Sequence, residues 1–240
     1  MMQERSSGST KKGTKALVLF SAGLDSTYNL LKAKKEFGNV TALFFDYGQK
    51  SSPQEYVHVK RVCDKIDAEF IKIDLLWFKT LESSLLSHGV KPSSFNSLKD
   101  IPKEGKPAEW VPNRNGVLVN IAAAVAESKG FDVIVIGVNL EEAGRYPDNT
   151  VEFVERANNL FEYSTFCRPK LMSFSSNMVK TDILGEILGL MEEYNLSKEY
   201  IWSCYDSYEK MCGRCESCLR LKNALRAHGR DGEWKELFLR

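Results

Sequence analysis

Short apolar runs alternate with segments of helical periodicity from residue 16 to residue 137. Four apolar runs of strand length lie at residues 16–20, 40–45, 70–73 and 133–137. Three segments with apolar residues at helical spacing lie around residues 24–35, 53–67 and 114–128. Such alternation predicts an α/β fold, in which a doubly wound, mostly parallel sheet carries helices on both faces.

The length and charge of the chain limit its organisation and its partners. With 240 residues it can bury a full core in a single domain, which we place at residues 15–240. Its 33 basic and 32 acidic side chains nearly cancel, so no broad positive field favours nucleic acid or a membrane surface. No apolar stretch approaches the ~20 residues of a membrane helix. These features predict a cytoplasmic protein with no membrane partner.

Two segments of the chain lack periodicity. Residues 1–14 are polar and rich in Ser, Gly and Lys, which predicts a disordered leader, natural or left by cloning, and not a signal peptide. Residues 87–109 are rich in Ser, Lys and Pro, and so long an irregular segment is unusual in a compact domain. We interpret this second segment as a lid over a site or as an inert insertion.

A turn of small residues directly follows the first apolar run. It reads Ser-Ala-Gly-Leu-Asp-Ser at residues 21–26 and precedes the first helical segment. Small side chains let backbone N–H groups surround an anion, and a helix N-terminus adds unpaired donors and a positive dipole. The same residue types also form an ordinary turn with an N-cap. The turn lacks the motifs of P-loop NTPases and of dinucleotide-binding folds.

Four of the six cysteines lie within fifteen residues near the C-terminus: Cys204, Cys212, Cys215 and Cys218. In a cytoplasmic chain this spacing favours thiolate ligands over disulfides, and four thiolates suit a closed tetrahedral zinc site. An iron–sulfur cluster is the alternative, because four cysteines alone do not define the metal. A structural Zn²⁺ would fix a helical C-terminal segment, residues 200–240, to the domain.

Several motifs together resemble known families. The turn at residues 21–26 resembles the Ser-Gly-Gly-x-Asp-Ser loop of the PP-loop (HUP-like) ATP pyrophosphatases, with Ala22 in place of a glycine. If the turn needs a positive φ at Ala22, alanine costs about 1 kcal/mol there. Other motifs are Asp46-Tyr47-Gly48-Gln49, Val111-Pro112-Asn113-Arg114-Asn115, Gly137-Val138, Tyr146-Pro147-Asp148, Lys180 in Val-Lys-Thr-Asp-Ile, and Ser203-Cys204-Tyr205 leading to the later cysteines. With the turn and the cysteines, this combination resembles the QueC family of 7-cyano-7-deazaguanine (preQ0) synthases over almost the whole chain beyond the leader.

The resemblance implies an AMP-forming, ATP-dependent carbon–nitrogen ligase of queuosine biosynthesis. Its substrate would be 7-carboxy-7-deazaguanine, whose carboxylate is activated by ATP with Mg²⁺ as an acyl-adenylate. Ammonia then gives the amide, and a second ATP activates the amide so that dehydration gives the nitrile. AMP and pyrophosphate leave in each activation. We also expect a homodimer.

The resemblance also implies the site residues. The expected nucleotide-binding residues are Ser21, Ala22, Gly23, Leu24, Asp25, Ser26, Phe45 and Gly137, and the expected catalytic residues are Asp25, Ser26, Lys180 and Arg114. Asp25 would position Mg²⁺ or the turn, while Lys180 and Arg114 would neutralise developing charge. The backbone at the end of the second strand would contact adenine. Ordinary ion pairs are the alternative for Lys180 and Arg114.

Two sites depart from the family pattern. Lys50-Ser51 stand where Arg-His is usual, and Asn149-Thr150 stand where Cys-Arg is usual. Because Ser cannot titrate and Thr cannot replace a bidentate Arg, these positions indicate altered handling of the acyl group. One alternative is therefore a QueC-like anti-phage defence enzyme that stops at the amide or joins the acyl group to a macromolecular amine on a protein. A non-catalytic, zinc-stabilised nucleotide-binding module is a second alternative. A tRNA-thiolating PP-loop enzyme is a third, although it would need a basic RNA surface.

Overall fold

The computed structural model describes residues 13–86 and 90–239. Residues 1–12 of the predicted leader and residues 87–89 of the predicted lid lie outside this part of the chain. Strands β1 to β5 are Lys15–Leu19, Asn39–Asp46, Glu69–Asp74, Val133–Val135 and Lys170–Met172. Helices α1 to α8 are Leu24–Phe37, Ser52–Ile66, Arg114–Lys129, Leu140–Ala143, Val151–Ser164, Lys180–Glu193, Glu216–Ala227 and Asp231–Trp234. Short 3₁₀ turns lie at Leu76–Thr80, Leu98–Asp100, Pro147–Asn149, Lys198–Tyr200 and Lys235–Leu237.

The five strands form one parallel sheet in the order β3-β2-β1-β4-β5. At the centre, Ala16 of β1 is in register with Val40 of β2 and with Val133 of β4. The strand order reverses between β1 and β4, because β2 follows on one side and β4 on the other. In open α/β sheets, a crevice forms at such a switch point, outside the carboxyl ends of the strands.

Helices cover both faces of the sheet and define two apolar cores. Alternate residues of β1 point to opposite faces, so that Val18 packs with residues of α1, α2, α6 and α7 while Leu17 packs with residues of α3 and α5. Both side chains are fully buried. The predicted doubly wound α/β class, with a helical C-terminal segment beside the cysteines, is therefore confirmed.

The four predicted strands overlap β1 to β4, and the three predicted helices overlap α1 to α3, with ends that differ by two residues or fewer. Strand β5 and helices α4 to α6 were not predicted, whereas α7 and α8 lie in the predicted helical C-terminal segment. Strand β5 is only three residues long. No helix in the described ranges has both the length and the apolar character needed to cross a membrane.

Candidate active site at the switch point of the sheet

The turn at residues 21–26 links β1 to α1 at the switch point. The Ser21 N–H donates to Ser26 Oγ at 3.3 Å, and Ser26 Oγ donates to the Gly23 carbonyl at 3.2 Å. Ala22 adopts a φ of 59°, and its carbonyl accepts a 2.9 Å bond from the Trp202 N–H. Gly23 is the N-cap of α1 and offers no side-chain partner to the first N–H groups of the helix. The turn is thus held internally, while helix donors remain available to an anion.

Gly137 follows β4 and lies against this turn. A Cβ at Gly137 would be 2.9 Å from Ser26 N and 3.0 Å from Ser26 Cα, both of which are backbone atoms. Backbone atoms cannot move aside as a flexible side chain can, so the turn would have to shift. Glycine at this position is explained by the close approach of two backbones.

Lys180 is buried at the start of α6 and joins two carboxylates. Its Nζ donates to Asp25 Oδ2 at 2.8 Å and to Glu142 Oε1 at 3.0 Å. Asn139 Nδ2 donates to the same Asp25 oxygen at 3.2 Å. The exposed fraction of Lys180 is 4%, so its ion pairs lie at a helix start but not at the surface. A cation and an acidic residue of the turn therefore meet directly beside the anion-accepting backbone.

The three charges shift one another's protonation. Burial alone would lower the pKa of Lys180, but Asp25 and Glu142 raise it above its usual value. Burial opposes ionisation of Glu142 as well, yet Lys180 lowers the pKa of this carboxyl to about 2. Burial raises the pKa of Asp25 against the opposing effect of Lys180. Among the described residues, the buried Oδ1 atom of Asp25 has no hydrogen-bond partner, so it can ligate a cation.

Arg114 opens α3 on the opposite wall of the crevice. Its Nη1 donates to Tyr47 Oη at 3.4 Å and its Nε donates to Asn115 Oδ1 at 3.2 Å. Burial would lower the pKa of Arg114, but Tyr47 and Asp148 raise it. No carboxylate in the described residues forms an ion pair with Arg114. Because its hydrogen-bond partners are neutral groups, its charge is available to an anionic ligand.

The two residues of the first departure from the family pattern, Lys50 and Ser51, have different roles in the structure. Lys50 does not line the crevice. Its Nζ donates instead to the carbonyls of Ser84 and Val90 at 2.8 and 2.7 Å. Ser51 lines the crevice, and its hydroxyl donates to Glu55 Oε1 at 2.7 Å. Only the serine therefore contributes to the wall of the site.

The two residues of the second departure, Asn149 and Thr150, also have different roles in the structure. Asn149 is buried in the wall of the crevice, and its Nδ2 donates to Asp148 Oδ1 at 3.1 Å. Thr150 caps α5 instead, since its Oγ1 accepts a 3.0 Å bond from the Phe153 N–H. The threonine thus serves a helix end and not the crevice.

The irregular segment after residue 89 borders the crevice through residues near the C-terminal end of the segment. Glu109, Trp110 and Val111 line the wall, and the Ser93 N–H donates to Glu109 Oε1 at 2.8 Å. Further along, the Phe95 N–H donates to the Arg214 carbonyl at 2.9 Å, within the cysteine region. The segment is therefore positioned beside the site, and its action as a lid stays a prediction.

The four clustered cysteines bring their sulfur atoms together. The Sγ atoms of Cys204, Cys212, Cys215 and Cys218 all lie within 4.8 Å of one another, and those of Cys212 and Cys218 are 3.9 Å apart. A tetrahedral site with metal–sulfur bonds of about 2.3 Å separates its sulfur atoms by about 3.8 Å. Backbone N–H groups of Asp206 and Cys212 point at Cys204 Sγ from 3.4 and 3.3 Å. The cluster fits a bound metal ion with four thiolate ligands.

A network of buried charges connects the cysteine region with the lysine site. Glu216 directly follows Cys215, is 1% exposed, and pairs with Arg145 and with Arg220. Arg220 also pairs with Glu141 at 2.6 Å, and the other Glu141 oxygen accepts a 2.9 Å bond from the Lys180 N–H. The network therefore supports the backbone from which Lys180 projects.

The crevice encloses about 220 Å³. The residues expected from the sequence that line it are Ser21, Gly23, Leu24, Asp25, Ser26, Phe45, Arg114, Gly137 and Lys180. Ala22 does not line the crevice, because its methyl group packs into a core beneath the turn. The structure thus brings together the expected residues of the nucleotide and substrate sides.

Sequence reasoning missed three polar residues of the site: Glu55, Asn139 and Glu142. The two adjacent acidic residues Glu141 and Glu142, a few positions after the end of β4, were a usable signal for Glu142, because ligand sites form at that edge of the sheet. Glu55 lies one helical turn after Ser51, so the two share a face of α2. Asn139 carried no signal of its own.

These features define the class of the protein. A parallel sheet carries an anion-accepting turn at its switch point, and a buried lysine pairs with the acidic residue of that turn. This combination is a PP-loop-type α/β fold.

Comparisons with known proteins identify the family within that class. The family model described as queuosine biosynthesis protein QueC matches residues 15–229, and the chain belongs to this family. A 7-cyano-7-deazaguanine synthase of Carboxydothermus hydrogenoformans is 42% identical over 214 residues, which cover 88% of this chain and 97% of that protein. A protein of the same name from Methanosarcina mazei is 40% identical over 90% of this chain and 95% of its own length. The predicted resemblance is confirmed.

A solved structure of the U34-tRNA thiolase NcsA from Methanococcus maripaludis, with its 4Fe-4S cluster, matches with a TM-score of 0.49 and 13% identity. The match covers 95% of this chain and 72% of that one.

Proposed function

We propose that this protein is an ATP-dependent 7-cyano-7-deazaguanine synthase acting on 7-carboxy-7-deazaguanine. Its relatives of about 40% identity carry that name. The observation that carries the proposal is the buried Lys180, which bonds Asp25 at 2.8 Å beside the turn at residues 21–26. A fixed cation and free backbone donors at one point suit a reaction in which pyrophosphate departs.

The reaction needs two activations. A carboxylate oxygen of the substrate attacks the α-phosphorus of ATP, and pyrophosphate leaves. Ammonia then adds to the acyl carbon, AMP leaves with the carboxylate oxygen, and loss of a proton gives the amide. The amide oxygen attacks a second ATP, pyrophosphate leaves again, and loss of AMP with two protons from nitrogen gives the nitrile.

The residues of the turn and of α6 would act on the phosphates. The helix N–H groups after Gly23 and the hydroxyls of Ser21 and Ser26 would hold the departing pyrophosphate. Lys180 would balance its charge, since its raised pKa keeps it protonated. Asp25 Oδ1 has no hydrogen-bond partner in the described ranges and would hold Mg²⁺, which would neutralise negative charge on the phosphates.

Arg114 and the cysteines would have different tasks. Arg114 would bind the substrate carboxylate, because it has no carboxylate partner in the described part of the chain. Four buried or partly buried thiolates, with no fifth protein ligand beside them in the part of the chain that the structure describes, would hold Zn²⁺ as a structural ion.

The test is product analysis with ATP, Mg²⁺, 7-carboxy-7-deazaguanine and ammonium. We expect AMP and pyrophosphate by chromatography and the nitrile by mass spectrometry, with two ATP consumed per nitrile. Asp25→Ala and Ser26→Ala should abolish AMP formation while the circular dichroism spectrum is unchanged. Formation of ADP and phosphate would refute the proposal. Amide that accumulates, or acyl transfer only to a macromolecular amine, would replace it with the amide-forming alternative.

A further inference from the structure

Glu55 places a carboxylate in the wall of the crevice, and no described lysine or arginine forms an ion pair with it. It lies in the first turn of α2, and both of its oxygens are oriented by the protein. Ser51 Oγ donates to Oε1 at 2.7 Å, and Gln49 Nε2 donates to Oε2 at 2.8 Å. Each carboxylate oxygen can accept more than one bond, so each retains acceptor capacity towards the crevice.

The orientation of Glu55 is fixed by the end of β2. Gln49 Oε1 accepts a 2.9 Å bond from the Tyr47 N–H, and Gln49 Nε2 donates to the Phe45 carbonyl at 3.0 Å. The amide of Gln49 therefore has one possible orientation, in which its N–H group faces Glu55. Ser51 and Gln49 therefore each donate to one oxygen of the Glu55 carboxylate and fix its orientation.

The negative charge of Glu55 is not balanced by an ion pair within the described ranges. No lysine or arginine in the described ranges forms an ion pair with it, and Arg114 acts on it only at longer range. Burial raises the pKa of Glu55, which the bonds from Gln49 and Ser51 partly oppose. A carboxylate fixed in this way in a ligand cavity calls for N–H donors from the ligand.

Four other carboxylates line the crevice, and two of them, Asp25 and Glu142, are bonded to Lys180. The other two, Asp148 and Glu109, have oxygens that bond different partners. Asp148 Oδ2 accepts a bond from the Asn115 N–H in the first turn of α3, and its Oδ1 accepts from Asn149. Glu109 Oε1 accepts from the Ser93 N–H of the neighbouring segment. Both serve the backbone or a buried neighbour, whereas Glu55 is held by side chains that only orient it.

We propose that Glu55 recognises the base of the substrate by accepting two adjacent N–H donors, as presented by a 2-amino-pyrimidinone ring of the guanine type. This inference rests on the proposed function and names the group that selects its substrate. The ring N–H and the exocyclic amine of such a base point in the same direction and match two acceptor oxygens. Adenine presents one donor and one lone pair, and the lone pair would oppose the second oxygen. Glu55 therefore separates the substrate from the adenine of ATP.

The experiment compares two bases and two carboxylate variants. Binding of 7-deazaguanine and of 7-deazahypoxanthine, which lacks the 2-amino group, is measured by calorimetry with the unmodified protein, Glu55→Gln and Glu109→Gln. The KM values for ATP and for 7-carboxy-7-deazaguanine are measured in parallel. Asp64→Asn is the control, because Asp64 is an exposed carboxylate on the same helix.

We expect the unmodified protein to bind 7-deazaguanine at least about tenfold more tightly than 7-deazahypoxanthine. Glu55→Gln should remove most of this preference and raise the KM for the carboxylate substrate about tenfold, while the KM for ATP changes less than about twofold. Glu55→Asp, which keeps the charge, should retain part of the preference. Asp64→Asn should change none of these values.

Three results would overturn the inference: equal binding of both bases by the unmodified protein, a preference retained in Glu55→Gln but lost in Glu109→Gln, or a raised KM for ATP alone. If no variant and no unmodified protein forms AMP, the proposed function fails while the binding comparison still decides the role of Glu55. Circular dichroism of Glu55→Gln excludes misfolding as the cause of a lost preference.

Discussion

At the scale of single residues, Ala22 shows how a tight turn tolerates a side chain. Its φ of 59° costs alanine about 1 kcal/mol relative to glycine. Its methyl group is fully buried in the core that contains α1, and burial of one such group contributes about 0.8 kcal/mol. The two effects nearly cancel, so alanine keeps the geometry that a glycine would otherwise provide.

Gly137 has no such compensation, because the space for a methyl group is taken by the backbone of Ser26. We predict that Gly137→Ala raises the KM for ATP at least about tenfold, since the donors of the turn would shift by tenths of an ångström. Steady-state kinetics of AMP formation measure this change. Gly189→Ala is the matched control: a Cβ there meets nothing within 4 Å, and α6 should become slightly more stable. An unchanged KM for ATP in Gly137→Ala would show that the turn has room to move.

At the scale of elements, two arginine–glutamate pairs with the same spacing differ in burial. Arg220 and Glu216 on α7 have side chains that are 14% and 1% exposed, whereas Arg156 and Glu152 on α5 are 76% and 69% exposed. Removing one member of a buried pair leaves an unpaired charge, while a solvated pair contributes little. The surroundings, and not the sequence spacing, decide what each pair contributes.

We predict that Arg220→Met lowers the free energy of unfolding by about 3 kcal/mol. Arg156→Met should leave it nearly unchanged, because this pair is solvated. Urea unfolding followed by circular dichroism measures both variants. Because Glu141 would lose its partner and supports the Lys180 N–H, Arg220→Met should also slow AMP formation at saturating ATP. Equal stability of the two variants would contradict a structural role for the buried network.

The elements that the sequence predicted are those with clear periodicity or a strong turn signal. Strands β1 to β3 and the turn at residues 21–26 combine apolar runs with glycine and aspartate at their ends, so their positions follow from local rules. Strand β5 has three residues and no period of its own, and it forms because β4 offers an open edge. The same distinction between local rules and the packing of elements applies to the residues of the site. Lys180 followed from a motif, but its pairing with Glu142 depends on how α6 docks, which local sequence does not contain.

At the scale of the whole molecule, two backbone hydrogen bonds join the cysteine region to the crevice in addition to the buried charge network. The Trp202 N–H bonds the Ala22 carbonyl of the turn at 2.9 Å, and the Arg214 carbonyl accepts from Phe95 of the irregular segment at 2.9 Å. Helix α7, which begins after Cys215, packs in the same core as α1 and α6. The cysteine region therefore supports both the turn at residues 21–26 and the irregular segment beside the crevice.

This arrangement predicts that metal loss affects nucleotide binding as well as stability. We expect one Zn²⁺ per chain by elemental analysis, bound by Cys204, Cys212, Cys215 and Cys218. Cys212→Ser should lower the melting temperature by at least about 10 °C, since metal binding is coupled to folding and each 1 kcal/mol corresponds to about 3 °C at this chain length. The same variant should bind ATP more weakly at temperatures where it is still folded, because the segment that bonds Ala22 loses its anchor.

Cys167→Ser, at an exposed cysteine outside the cluster, should change neither value. Less than half an equivalent of zinc, or an absorption band of an iron–sulfur cluster, would contradict the choice of metal. Normal ATP binding by metal-free Cys212→Ser would instead show that the turn holds its shape without the cysteine region.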